Sequence, residues 1–251
     1  MKVIKPWPYP TLFAHRGGGN LAPENTLAAM LAGYASGYRA VEFDAKLTRD
    51  GVVMLMHDET LERTTNGKGR FRDWDAKALT KLDAGRWMGE AFEGEEIPLF
   101  TDVLDFLHTQ NMVADIEVKP CAGREAVTGR AVGEALKHFL QMHPSAAPRF
   151  FASSFSVEAL RALRAALPLL PLSFLAEQYT ADADATIAEF GCSIFASDHA
   201  ALDQKLVAQM HRQGVAVMAY TINDVERARE VLSWGTDAIF TDALVEMEAF
   251  L

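Results

Sequence analysis

Glu42 and Asp44 lie two residues apart in one apolar run, 39–47, and Glu117 and Lys119 lie two apart in another, 112–119. Along a β-strand that spacing puts both members of a pair on the same face. If the two runs are neighbours, three carboxylates converge and repel one another. Two resolutions are open: a cation bound among them, or ion pairs with Lys46, Lys119 or Arg39. All-oxygen ligation selects a hard ion, Mg²⁺ or Ca²⁺, over zinc.

A second constellation begins at His15-Arg16, which runs into Gly17-Gly18-Gly19. Arg16 can fork two hydrogen bonds onto a phosphate. The glycines allow close backbone approach, and their N–H groups can cradle an anion; the alternative is a plain flexible loop. His57-Asp58 follows a short apolar stretch, 52–56. Two histidines near a carboxylate cluster and an arginine suit general acid–base work near neutral pH. Pro23-Glu24 reads as a helix start, with Glu24-Asn25-Thr26 mainly structural and Asn25 bracing the site. His108, His138, His143 and His211 fall on helices or their ends and are expected at the surface. Ser197-Asp198-His199 has the residue types of a nucleophilic triad, but triad members meet in space rather than along the chain.

These groups need a scaffold that brings distant strands to one place. Eight strand-length apolar runs cover residues 11–15, 39–47, 112–119, 149–155, 172–177, 193–197, 215–222 and 238–241. Amphipathic stretches at 24–34, 101–108, 125–141, 157–166, 202–212 and 225–232 lie between them. Strands alternating with helices imply parallel βαβ units. Eight such units in 251 residues predict a closed (β/α)8 TIM barrel. Nearly every run ends in polar residues: His15-Arg16, Glu42 and Asp44, Glu117 and Lys119, Ser153-Ser154, Glu177, Asp198-His199, Tyr220 with Asn223, and Thr241-Asp242. In a barrel those ends share the face that carries active sites. Tyr220 is taken as a further substrate contact. Residues 48–97, after strand two, are too long for a turn. They are read as a small cap-like insertion within one domain spanning 1–251, with 52–56 as an added strand.

The net charge of −10 argues against nucleic acid, which demands a basic face, and against docking on anionic lipid. An anionic small molecule remains possible, since a few cations in a pocket outweigh the global charge locally. Cys121 and Cys192 have no paired spacing, so neither a disulfide framework nor a zinc site is expected, and a reducing compartment fits. The first ten residues hold no apolar leader, and no stretch reaches the ~18 apolar residues of a membrane span. A cytoplasmic protein is expected.

With these residues in hand, the sequence resembles the glycerophosphodiester phosphodiesterase family, particularly its bacterial cytosolic members. The matching stretches are Ala14-His15-Arg16-Gly17-Gly18-Gly19, Ala22-Pro23-Glu24-Asn25-Thr26, Val41-Glu42-Phe43-Asp44-Ala45-Lys46-Leu47, Asp50-Gly51 and His57-Asp58. They continue with Leu61-Glu62-Arg63-Thr64-Thr65-Asn66-Gly67, Asp83-Ala84-Gly85, Ile97-Pro98, Ile116-Glu117-Val118-Lys119-Pro120, Ser153-Ser154-Phe155, Tyr220-Thr221-Ile222-Asn223 and Thr241-Asp242. The resemblance implies a barrel with an insertion after strand two and a divalent ion on Glu42, Asp44 and Glu117. It implies His15 and His57 as the acid–base pair, with Arg16 and Lys119 holding phosphate. The implied reaction is metal-dependent hydrolysis of deacylated phospholipid head groups to glycerol 3-phosphate and an alcohol. His15 is expected as base and His57 as acid, through a cyclic phosphate or by direct attack of water. The expected partners are the small glycerophosphodiester and a second copy of the chain in a homodimer, with no nucleic acid and no membrane. Three rivals stand beside it: a lysophospholipid-type phosphodiesterase, a glycosidase using Glu42 and Glu117, and a barrel that only binds metal and phosphate.

Overall fold

A computed structural model describes residues 6–251. Residues 1–5, half of the stretch in which the sequence predicts no leader, lie outside the described residues. The strands are β1 (Leu12–Ala14), β2 (Ala40–Leu47), β3 (Val53–Leu55), β4 (Val113–Val118), β5 (Phe150–Ser154), β6 (Leu172–Ala176), β7 (Ile194–Asp198), β8 (Ala216–Tyr220) and β9 (Ala238–Thr241). All except β3 pair in parallel, and β1 bonds to both β2 and β9, so the eight parallel strands close into a TIM barrel. β3 is the added strand, antiparallel to the end of β2, with Lys46 opposite Met54.

The helices are α1 (Leu27–Ala35), α2 (Ala76–Leu79), α3 (Phe100–Thr109), α4 (Glu125–Met142), α5 (Val157–Ala166), α6 (Ala181–Phe190), α7 (Gln204–Gln213) and α8 (Val225–Ser233). α2 is a single turn within the 48–97 insertion to which the sequence assigns no helix, and outside the insertion two helices differ from expectation. α6 has no counterpart among the expected helices, because its first turns are built from Ala and Asp. Alanine gives little hydrophobic contrast, yet Ala183, Ile187 and Phe190 still bury one face, the i, i+4, i+7 spacing of a helix. Gly191, at φ 59°, ends it in the left-handed conformation that glycine adopts without strain. The start of α1 also moves. Thr26 caps it, accepting from the Ala29 amide at 3.1 Å, and Asn25 sits left-handed at φ 60°. Glu24 is therefore outside the helix and its carboxylate is free for other partners.

The core has separate parts. Most buried apolar side chains fill the layer between strands and helices. Phe13, Phe151, Leu175, Met218 and Phe240 belong to a second cluster inside the barrel. Trp7 and Tyr9 pack against that cluster ahead of β1, where Tyr9 stacks on Phe151 with centroids 5.1 Å apart. Between β2 and α3, Met54, Met56, Leu61, Phe71, Leu79 and Ile97 form a third cluster. The apolar plug at the N-terminal end leaves the opposite end of the barrel for polar side chains. Of the histidines expected at the surface, His138 is exposed, but His108 and His211 are half-buried. Arg149 donates to His108 at 3.1 Å, and His211 pairs with Asp237 at 2.8 Å.

Phe151→Ala should cost about 3–5 kcal/mol, because the barrel interior cannot collapse around the lost ring. Leu169→Ala, at a side chain 96 % exposed, should stay within about 0.5 kcal/mol of wild type. Urea unfolding of both variants checks the contrast.

Candidate active site

Parallel strands in register place Asp44 beside Glu117 and Glu42 beside Asp115. Since β2 and β4 are neighbours, the side chains that alternate inward meet at the C-terminal end of the barrel. Glu42, Asp44 and Glu117 each bring a carboxylate oxygen within 4.8 Å of the others, and all three residues are buried. Lys119 Nζ lies 2.8 Å from Glu117 and 3.6 Å from Asp44. Of the other expected ion-pair partners, Lys46 donates instead to the Lys119 carbonyl at 2.9 Å, and Arg39 donates to the carbonyls of Tyr34 and Tyr38. Arg16 Nε lies 3.7 Å from Asp44, so two cations face three carboxylates. Glu42 Oε1 and Asp44 Oδ1 make no hydrogen bond, a costly state for buried oxygens. Two unpartnered buried oxygens in an all-oxygen donor set fit a hard divalent cation.

The electrostatics show the strain of this arrangement. Burial, with Asp44, Glu117 and Asp115 close by, pushes Glu42 well above the usual carboxylate range. Burial and Asp44 push Glu117 up to about 7, against the pull of Lys119 and His15. Burial acts on Asp44 too, but Lys119, Arg16, His57 and a hydrogen bond from Asn25 outweigh it and bring Asp44 to about 2. Asn25 holds Asp44 by both ends: Nδ2 donates to the carboxylate at 2.8 Å, and Oδ1 accepts from the Asp44 amide at 3.0 Å. The bracing expected of Asn25 is thus explicit, and its left-handed backbone is what aims both side-chain atoms at β2.

His15 follows β1 and approaches Asp242, which follows β9. Its Nδ1 is 2.7 Å from Asp242 Oδ1, and its Nε2 is 3.8 Å from Glu42. Asp242 is itself fixed by Asn223, which donates from Nδ2 at 3.1 Å and accepts from the Asp242 amide at 2.7 Å. Next to His15, Arg16 is left-handed at φ 52°, and its amide donates to Glu42 at 3.0 Å. Its guanidinium bonds Glu24 at 2.7 Å. His57, after β3, has its Nδ1 2.6 Å from Asp58. Burial, together with Arg16 and Lys119, holds His57 below the usual imidazole range despite Asp44 and Asp58. Each histidine therefore has one ring nitrogen anchored by a carboxylate, which fixes its orientation.

The glycine triplet works differently from expectation. The Gly17 and Gly19 amides close the loop on the Ala14 and His15 carbonyls at 3.3 and 3.0 Å, so they are not turned toward a ligand. At Gly19, φ is 51° and a Cβ would stand 2.3 Å from the Asp242 carbonyl oxygen. The glycine is there to let two loops touch, and that contact brings His15 to Asp242. The triad pattern at Ser197 does not assemble. Ser197 donates to the Glu177 carbonyl, Asp198 accepts from the Ala200 amide, and His199 accepts from Arg227. Glu177 is exposed.

His15, Arg16, Glu42, His57, Glu117, Lys119 and Tyr220 all line one cavity of about 170 Å³. The sequence profile of the glycerophosphoryl diester phosphodiesterase family matches residues 15–246. The chain belongs to that family. Relatives within this hydrolase family include a Bacillus subtilis glycerophosphodiester phosphodiesterase, 31 % identical, the match covering 91 % of this chain and 82 % of the relative. Another, from Caldanaerobacter subterraneus subsp. tengcongensis, is 29 % identical, with 92 % and 93 % covered. A solved structure of an Oleispira antarctica phosphodiesterase, in complex with the product sn-glycerol-3-phosphate, superposes with a TM-score of 0.88 at 30 % identity, covering 96 % of both chains.

Around the cavity stand residues to which sequence reasoning assigned no role in the site, although it placed Asn223 and Asp242 on the active face. Asp242 and Asn223 orient His15, but 227 residues separate His15 from Asp242, and no spacing rule spans that distance. Asp115 had a usable signal, since it precedes Glu117 by two on the same strand. Its carboxylate is fully buried in the cavity floor without a hydrogen bond, and burial pushes it well above the usual range. Among the described residues no helix is long and apolar enough to cross a membrane.

The raised carboxylates make stability depend on pH. Glu117 is at about 7 folded against 4.5 ordinarily, so between those values the folded chain binds more protons than the unfolded one. The Glu117 contribution to the stability of chelated protein should therefore be lost as pH rises from about 4.5 to about 7. Glu42 and Asp115 act in the same direction; His57 opposes them, and so do the lowered carboxylates Asp44, Glu24, Asp58 and Asp242 at the acid end of the range. Adding Mg²⁺ or Ca²⁺ at pH 8 should restore what was lost. Urea unfolding with chelator and then with cation checks this; a flat profile in chelator would show that the carboxylates ionise together unaided.

Proposed function

We propose that this chain hydrolyses glycerophosphodiesters to glycerol 3-phosphate and an alcohol, using a divalent cation and two histidines. The observation that carries the reading is one cavity lined by Glu42 and Glu117, two carboxylate-anchored histidines, Arg16 and Lys119, with the buried Asp44 carboxylate within 4.8 Å of both lining carboxylates. Membership of the phosphodiesterase family supports the substrate class. A divalent cation held by Glu42, Asp44 and Glu117 would polarise a phosphate oxygen and acidify a bound hydroxyl. Arg16 and Lys119 bring positive charge to the remaining phosphate oxygens. Tyr220, beside Phe155 at 5.9 Å, walls the substrate in.

The substrate carries its own nucleophile, the middle hydroxyl of glycerol. Its attack on phosphorus is intramolecular and avoids the entropy of capturing water. A base needs a free ring nitrogen: Asp58 anchors Nδ1 of His57, and burial with Arg16 and Lys119 nearby favours its neutral form. His57 accordingly takes the hydroxyl proton, and His15 protonates the departing alcohol. This reverses the roles expected from sequence, because the sequence carried no sign of the burial and cationic neighbours of His57. The phosphorus–oxygen bond to the alcohol breaks as a five-membered cyclic phosphate closes. Water then opens the ring, giving its proton to His15, while His57 returns the first proton to the middle oxygen. The segment 48–97, which supplies His57, serves as a cap on this rim. Two free, buried cysteines suit a reducing cytoplasm.

Purified protein should release glycerol 3-phosphate from water-soluble glycerophosphodiesters and lose that activity on chelation. Preference for micellar lysophospholipid would favour the rival phosphodiesterase. His15→Ala and His57→Ala should each lower kcat by about 10²–10⁴, and a variant with near-wild-type kcat would remove that residue from proton transfer. A substrate analogue lacking the middle hydroxyl separates the routes. It should bind yet scarcely turn over if the cyclic phosphate forms, whereas cleavage at comparable kcat would establish direct attack by water.

A further inference from the structure

Arg63 lies in the segment after β3, has 44 % of its side chain exposed, and lines none of the cavity that holds the two histidines. It nevertheless makes four charge-assisted hydrogen bonds. Nη1 and Nη2 fork onto Glu24 at 2.6 and 2.8 Å, and Nε and Nη2 fork onto Asp58 at 2.6 and 3.0 Å. Glu24 also receives Arg16 at 2.7 Å, and Asp58 holds His57 at 2.6 Å. The result is one chain of contacts: Arg16, Glu24, Arg63, Asp58, His57. Its two ends come from different parts of the fold, the β1–α1 loop and the segment that follows β3.

We propose that Arg63 is a positioning residue that sets His57 and Arg16 relative to each other across the seam between the barrel and its insertion. The proposal rests on the functional reading given above, in which Arg16 binds phosphate and His57 moves a proton. An exposed ion pair alone contributes little. Arg63 differs in binding two carboxylates bidentately, and these are mostly buried, at 14 % and 25 % side-chain exposure. Bidentate geometry fixes direction as well as distance. Without Arg63, Asp58 keeps only His57, and nothing defines the plane of its carboxylate. Glu24 keeps only Arg16 and draws that guanidinium away from phosphate. Both ends of the site loosen from one substitution outside it.

Arg63→Ala should therefore lower kcat, through His57, and raise KM, through Arg16, each by about tenfold. A second readout is the pH profile. His57 faces Asp58 on its own segment, Asp44 from β2, Arg16 from the β1–α1 loop and Lys119 from β4. Removing Arg63 takes away a cation and leaves Asp58 less neutralised, so the limb assigned to His57 should move upward by roughly half a unit or more. Because Arg63 is so exposed, millimolar guanidinium can enter the space it leaves and should restore much of the lost rate. Arg63→Lys keeps the charge without the fork and should recover only part. A loss confined to melting temperature, or a rate loss without either pH shift or guanidinium rescue, overturns the proposal. Wild-type protein inactive on glycerophosphodiesters would instead count against the functional reading. In that case, nitrogen-15 NMR of the His57 ring decides the Arg63 role, since an unchanged His57 signal in Arg63→Ala overturns it.

Discussion

Three buried carboxylates that repel one another are the constraint around which this structure is arranged. Glu42, Asp44 and Glu117 stand within 4.8 Å of each other in a barrel mouth, where low polarity strengthens every charge. Left to themselves they protonate in part, as the raised Glu42 and Glu117 show. Each neighbouring element contributes something that tempers the repulsion. The β1–α1 loop supplies Arg16 and Asn25, β4 supplies Lys119, and Lys46 fixes the Lys119 backbone from within β2. The same groups that calm the cluster are the ones suited to a phosphate. A cluster fit to hold a cation is thereby ringed by groups fit to hold an anion beside it.

Much of this was legible in the sequence because it follows period-two alternation. Residues at 42 and 44, and at 117 and 119, had to share faces, and strands with polar C-terminal ends had to bring them to one rim. The eight parallel strands closed as the alternation of elements predicts, supported by strand-length runs that were apolar enough to be buried on both sides. What escaped was of two kinds. α6 escaped because alanine and aspartate give helix propensity without hydrophobic contrast. Asp242 and Asn223 were placed on the active face, but their role as anchors of His15 escaped because that partner is at the other end of the chain. The misplaced start of α1 had a different origin: Pro23 and Glu24 are good first-turn residues by type, but Thr26 captured the cap and left Glu24 to bind arginines.

The glycine triplet illustrates how one residue type serves different ends. By composition it could have been an anion cradle. The Gly17 and Gly19 amides are instead spent closing the loop, and Gly19 is pressed against the backbone that follows β9. Conformational freedom here serves packing between loops, and the anion is left to side chains. The phosphate recognition proposed for Arg16 and Lys119 would be correspondingly adjustable, because side chains re-orient where a backbone nest does not.

The contact between His15 and Asp242 has a consequence for biosynthesis. One partner follows the first strand of the barrel and the other follows the last, 227 residues later. A chain emerging from the ribosome carries its carboxylate cluster by the time β4 is made, yet His15 lacks its anchor until almost the whole sequence has been translated. Contacts so distant in sequence form late, since the loop they close is long. The proton transfer proposed for His15 thus awaits closure of the barrel, and an incomplete chain carries the residues of the acidic cluster and the His57–Asp58 pair while His15 has no anchor.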